Sequence, residues 1–344
     1  MIRRNVPLLT PVLVSAILCH VLGQAPTPSE DKPSREEALR AAVEALEQAE
    51  EQDEGGVRAA ALEEINRRLS TLQGVDPAHP WLSYLYGRAY ALAGRSGDAI
   101  DHFRKFVETR EGRNEWQAHR RLGDLFVGEF PRLAKASYDK ALALKADEPT
   151  ALLGLSTCAY KTGDVDEALR LAQQAADADG RQTVRIVGHL TRMFIAKRQW
   201  ADADRTAVLA LELAEAGVGK RPGARGPVQT LEAQYDLLTD LLQARINEKV
   251  AGAEDYVRLA GFFRKRNDIS ARLALHDALR VLELGVESTA PDTPARLLEQ
   301  YAVTLADVGR TEAAIAAFEN LLTLDPSNST AAERLGRLRT MPKP

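Results

Sequence analysis

The stretch 301-YAVTLADVGRTEAAIAAFENLLTLDP-326 decides the architecture. Tyr301-Ala302 and Leu305 recur at helical spacing. Gly309-Arg310 then breaks the run, and Ala314, Phe318 and Leu321-Leu322 resume the period until Asp325-Pro326 stops it. Two short amphipathic helices with a tight turn between them follow from this pattern. A small residue such as Ala314 lets the two helices approach, Phe318 fills the space beside that contact, and Pro326 closes the unit. Such a hairpin cannot bury its apolar face alone, so it implies neighbours of the same kind.

Those neighbours are found upstream. Leu85-Tyr86-Gly87, Tyr90, Gly94, Ala99 and Phe103 repeat the order of 301–326. Ala99, Ala134, Ala168 and Ala203 each open the second helix of a pair, 34 or 35 residues apart. A period of this length, with small, aromatic and proline positions in this order, resembles the tetratricopeptide repeat (TPR) family. The resemblance implies an all-α, right-handed superhelical solenoid of stacked antiparallel helix pairs. It covers most of 78–215 and 252–328.

Composition agrees with that class. Ala and Leu recur throughout while aromatic residues make up only 6%, a bias towards helix. With 45 Lys+Arg against 49 Asp+Glu the chain carries a formal charge of −4, so no basic surface points to nucleic acid. The 344 residues divide as follows. Residues 1–25 read as a signal peptide or N-terminal anchor: Arg3 and Arg4 precede an apolar run over 6–22, and Gly23-Gln24-Ala25 offers a cleavage site. A Pro/Ser-rich tether spans 26–34, and TPR-like repeats fill 35–215. A Gly/Pro-rich basic linker at 216–228 follows, containing Gly217, Pro222 and Pro227. The remainder, 229–344, holds one long helix, two further pairs and a capping helix. The expected location is outside the cytoplasm, periplasmic or extracellular, with 1–25 as the means of any membrane tether.

Catalytic and metal constellations are not evident. Six scattered histidines show no metal-ligand spacing, and His102 and His119 read as surface or inter-helix residues. Removal of 1–25 takes Cys19 away and leaves Cys158 alone in an apolar run, a core residue rather than a reactive thiol. Gly217-Val218-Gly219-Lys220 lacks the Ser/Thr and glycine spacing of a phosphate loop. Asn328-Ser329-Thr330 is both a glycosylation sequon and a set of helix-capping residues. No cofactor, no metal and no enzymatic activity are expected.

A binding face is expected instead. Trp81, Tyr84 and Arg88 stand at i, i+3 and i+7, one side of the first helix in their pair. In TPR proteins that side lines the groove holding a partner. Carrying the position along the chain gives Arg120 and Asp124, Thr157 and Tyr160, Arg185 and Arg192, then Arg264. Trp, Tyr and Arg dominate binding energy at interfaces, and the arginines suit an acidic peptide. The Lys/Asn clamp by which some TPR domains hold a C-terminal carboxylate is not matched. The expected function is a non-catalytic scaffold or adaptor for a protein or peptide in the bacterial envelope. The alternative is a glycan-contacting subunit of envelope polysaccharide or lipid machinery. Oligomeric state is not readable from the sequence.

Overall fold

The computed structural model describes residues 33–51, 56–220, 225–265 and 271–340; the signal or anchor expected at 1–25 and most of the tether lie outside them. Every regular element among the described residues is a helix. They run α1 (Arg35–Glu51), α2 (Gly56–Val75), α3 (Leu82–Leu92), α4 (Ser96–Glu108), α5 (Arg110–Arg113), α6 (Trp116–Phe126), α7 (Pro131–Leu144), α8 (Pro149–Lys161) and α9 (Val165–Ala178). The series continues with α10 (Val184–Ala196), α11 (Trp200–Lys220), α12 (Arg225–Asn247), α13 (Ala253–Lys265), α14 (Ala271–Thr289), α15 (Ala295–Asp307), α16 (Thr311–Leu324) and α17 (Ser329–Thr340). None of these is long and apolar enough to cross a membrane.

The chain forms two compact units, one ending at His102 and one beginning at Phe103. In the first, α1 packs on α2 and both meet α3. In the second, α6 pairs with α7, α8 with α9, α10 with α11, α13 with α14 and α15 with α16. The first helices of successive pairs also touch: α6 meets α8, α8 meets α10, and α10 meets α12. This is a stack of antiparallel hairpins.

Sequence details place the helix ends. Pro131 and Pro149 open α7 and α8, where a missing N–H costs nothing. The Glu148 and Asp164 carboxylates accept from Ala151 N and Glu167 N, capping α8 and α9. Asn328 Oδ1 accepts from Ala331 N, so the sequon asparagine acts as a cap of α17. Gly94, Gly163 and Gly309 sit between the helices of their pairs with φ of +72°, +88° and +82°. Arg198 takes the same position at φ +57°, a left-handed conformation that costs a non-glycine residue about 1 kcal/mol.

The span expected to be a linker, 216–228, is largely helical. Helix α11 runs on to Lys220, α12 begins at Arg225, and only 221–224 fall outside the described residues. Pro227 is the third residue of α12, within the first turn, where proline removes no helix hydrogen bond. Gly217 and Gly219 therefore continue a helix rather than forming a loop.

Candidate functional site

The site is built on α10. Its Ile186, Val187, Leu190, Met193 and Phe194 are buried, which leaves Arg185, His189 and Arg192 along one stripe at i, i+4 and i+7. Arg185 and Arg192 are exposed and His189 is half-buried. With Asp124 of α6, Tyr138 of α7 and Thr157 of α8, this stripe lines a cavity of about 320 Å³.

Tyr138 sets the far wall. Its side chain is 1% exposed, and the ring lies between Gly123 and Gly154. A Cβ at Gly154 would stand 2.2 Å from the ring, and one at Gly123 2.6 Å, so both glycines are required by the close approach. The phenol donates to Asp124 Oδ1 at 2.9 Å. Burial, then the Asp124 charge, raises the phenol pKa, so Tyr138 stays a donor. The other Asp124 oxygen accepts from Arg120. Loss of solvent raises the Asp124 pKa, opposed by Arg120, by the Tyr138 hydrogen bond and by Arg185. The side chain as a whole keeps 44% of its surface, so that rise carries little stability.

His189 is fixed by α8. Ser156 is fully buried and its hydroxyl donates to the Ala168 carbonyl at 2.6 Å. A hydroxyl has one proton, so the 2.8 Å contact between Ser156 Oγ and His189 Nε2 has the imidazole as donor. The ring is then the Nε2–H tautomer with Nδ1 as its acceptor. Burial, then Arg192 and Arg185, lowers its pKa to about 4, so it is neutral at neutral pH.

The remaining expected positions lie elsewhere or are already engaged. In the first unit, Tyr84 is 3% and Arg88 7% exposed. Arg88 donates to Glu50 through Nε at 3.0 Å and Nη2 at 2.8 Å, and its guanidinium stands 6.0 Å from the Tyr84 ring. Trp81 packs edge-on against Tyr84 with centroids 5.4 Å apart. Arg88 thus ties α3 to α1, and Tyr84 is buried beside it. The reason is that α1 covers the side of α3 that the stripe marks. Arg120 is paired with Asp124, and Arg264 with Asp307 and, at 3.2 Å, the Thr304 hydroxyl. Tyr160 is 48% exposed at the end of α8 but does not line the cavity. Among the described residues Arg185 and Arg192 make no ion pair; Asp124 and Asp240 act on them only through space.

Sequence reasoning missed Tyr138 and His189. His189 falls within the Arg185–Arg192 stripe, a signal available from spacing alone. His119 is 6% exposed and its Nε2 contacts the Arg113 carbonyl at 3.2 Å, an inter-helix role. Cys158 is 2% exposed, and burial pushes its thiol up to about 11, which makes it inert. Among the described residues no three His, Cys, Asp or Glu side chains are arranged to hold a metal.

The tetratricopeptide repeat model matches residues 124–182 and 302–339. The first segment contains Asp124, Tyr138, Gly154 and Ser156, and stops just short of Arg185. No curated protein matches the sequence. Similar solved structures include PilW, described as a widely conserved type IV pilus biogenesis factor, at 18% identity and TM-score 0.49 over 68% of this chain and 98% of that one. The C-terminal part of a TPR repeat-containing protein from Cytophaga hutchinsonii is similar at 16% identity and TM-score 0.45, over 86% and 99%. MamA from Desulfovibrio magneticus is similar at 20% identity and TM-score 0.39, over 53% and 97%.

Proposed function

We propose that this tetratricopeptide repeat protein is a non-catalytic adaptor that holds a protein or peptide partner on the face shared by α6, α8 and α10. One observation carries the reading. Of the arginines expected along the groove, Arg88, Arg120 and Arg264 are engaged by carboxylates of this chain, whereas Arg185 and Arg192 line a cavity and have no ion pair among the described residues. Two exposed guanidiniums beside a preformed cavity gain most from a group brought by a partner. The Ser156–His189 contact supports a binding role. Its proton runs from histidine to serine, opposite to a base activating a nucleophile, and Ser156 is sealed from solvent.

In the same reading the 1–25 segment exports the chain and 26–34 spaces the folded part from the membrane or cleavage site. Fractionation of cells, with mass determination of the N-terminus, tests this; a cytoplasmic chain retaining residues 1–25 would refute it.

The adaptor reading is tested by in-cell crosslinking from a photoreactive residue placed at Arg192, with Arg170 as a control on the exposed side of α9. One dominant protein adduct at 192, missing at 170 and lost on Arg185→Gln, is the expected result. Equal adducts from both positions, or none from 192 in a folded protein, would refute it.

A further inference from the structure

The cavity on α10 has a donor and acceptor order that specifies more than an acidic partner. Arg185 and Arg192 are seven residues apart on one helix, about 10 Å along its axis. Between them His189 offers a neutral acceptor, Nδ1, that no described residue meets. A ligand that satisfies all three groups carries two anions with one hydrogen-bond donor between them.

An extended peptide has this arrangement. Side chains at i and i+2 point the same way and lie about 7 Å apart. Long arginine side chains close the remaining difference. The backbone between two such carboxylates brings an N–H over the middle of the stripe. Adjacent acidic residues do not fit, because they point to opposite sides of an extended chain. Asp124 on the opposite wall, hydrogen-bonded to Arg120 and Tyr138, tells against the extra negative charge that a phosphoryl group would bring in place of each carboxylate.

Building on the adaptor reading, we propose that the cavity recognises an extended acidic-x-acidic segment of the partner. Its two carboxylates are held by Arg185 and Arg192, and an intervening backbone N–H is accepted by His189 Nδ1.

The test is calorimetric titration of the full chain with short peptides of Ala and Glu, acetylated and amidated so that only side chains carry charge. The Glu-Ala-Glu peptide is expected to bind about tenfold more tightly than one with adjacent Glu-Glu, and more tightly than one with two phosphoserines in place of the glutamates. Arg185→Gln and Arg192→Gln each lower its affinity about tenfold. Methylation of the middle amide nitrogen lowers it several-fold without touching the protein, which separates recognition by His189 from any effect of a variant on folding. Equal binding of the two spacings, preference for phosphoserine, indifference to N-methylation, or no binding of Glu-Ala-Glu to the folded chain would each overturn the proposal. Capture of a partner at position 192 together with any of these results would leave the adaptor standing and remove only the ligand assignment.

Discussion

Gly154→Ala tests the packing that shapes the cavity. The substitution ordinarily stabilises a helix interior by about 1 kcal/mol. Here the new Cβ would lie 2.2 Å from Tyr138 Cζ, whereas carbon atoms in contact need about 3.5 Å, so the ring must retreat by about 1.3 Å. Gly123 blocks that retreat, since a Cβ placed there would itself stand 2.6 Å from the ring. Overpacking of this kind costs about 1–3 kcal/mol, and tilting the phenol away from Asp124 forfeits about 1 kcal/mol more. The net is a loss of about 2 kcal/mol. Urea unfolding, followed by helical circular dichroism and by the fluorescence of Trp81, Trp116 and Trp200, measures it; the two probes must agree before a midpoint is converted to energy, because repeat arrays do not always unfold in one step. In a Tyr138→Leu background the clash is gone and Gly154→Ala should become neutral or stabilising. Gly336→Ala, with open space around the new Cβ, should stabilise in either background. A neutral or favourable Gly154→Ala with Tyr138 present, or the same cost in both backgrounds, would mean that the Tyr138 ring does not confine position 154.

Phe318 is fully buried in the cluster that holds α15, α16 and α17 together, so Phe318→Ala should cost about 3–5 kcal/mol; a loss below about 1 kcal/mol on urea unfolding would contradict the repeat register. Glu50→Gln leaves the Arg88 guanidinium, 8% exposed, without its counter-charge and should cost about 2 kcal/mol in the same assay, while capture of a partner at position 192 is unchanged. The His189 pKa is about 4 in the folded chain against 6.5 when solvated, so the unfolded chain takes up the proton first as pH falls. That contribution, on the order of 3 kcal/mol, is complete above pH 6.5 and lost between 6.5 and 4. His79 and His119, both lowered chiefly by burial, act with the same sign, so His189→Gln should reduce the acid sensitivity measured by urea midpoints at pH 4–7 without abolishing it.

The repeat was legible because its signal is local. Ala99, Ala134, Ala168, Ala203 and Ala314 are all fully buried, and their spacing alone marks where two helices must approach. The partner of a given side chain is another matter. Arg88 meets Glu50 across 38 positions and Arg264 meets Asp307 across 43. A stripe at i, i+3 and i+7 identifies a side of a helix, but whether that side faces solvent depends on which neighbour covers it. Arg88 is buried against Glu50 of α1, whereas Arg185 and Arg192 are exposed. Gly123 and Gly154 carry no visible mark of the ring between them, because their role is defined by Tyr138 on a third helix. Gly and Pro content does not by itself fix where a helix stops; Pro227 belongs to a first turn, where helix and proline are compatible.

The pairing of Arg120 with Asp124 and of Arg264 with Asp307 has a consequence for discrimination. A groove whose every arginine was free would attract any polyanion. Here Asp124 and Asp307 mute two of those charges, while Arg185 and Arg192 make no ion pair among the described residues. A competitor gains little by being more acidic and gains much by having the right spacing. Such a surface sorts its visitors by shape of charge rather than by quantity, and it stays quiet in a crowded, anionic environment until the matching segment arrives.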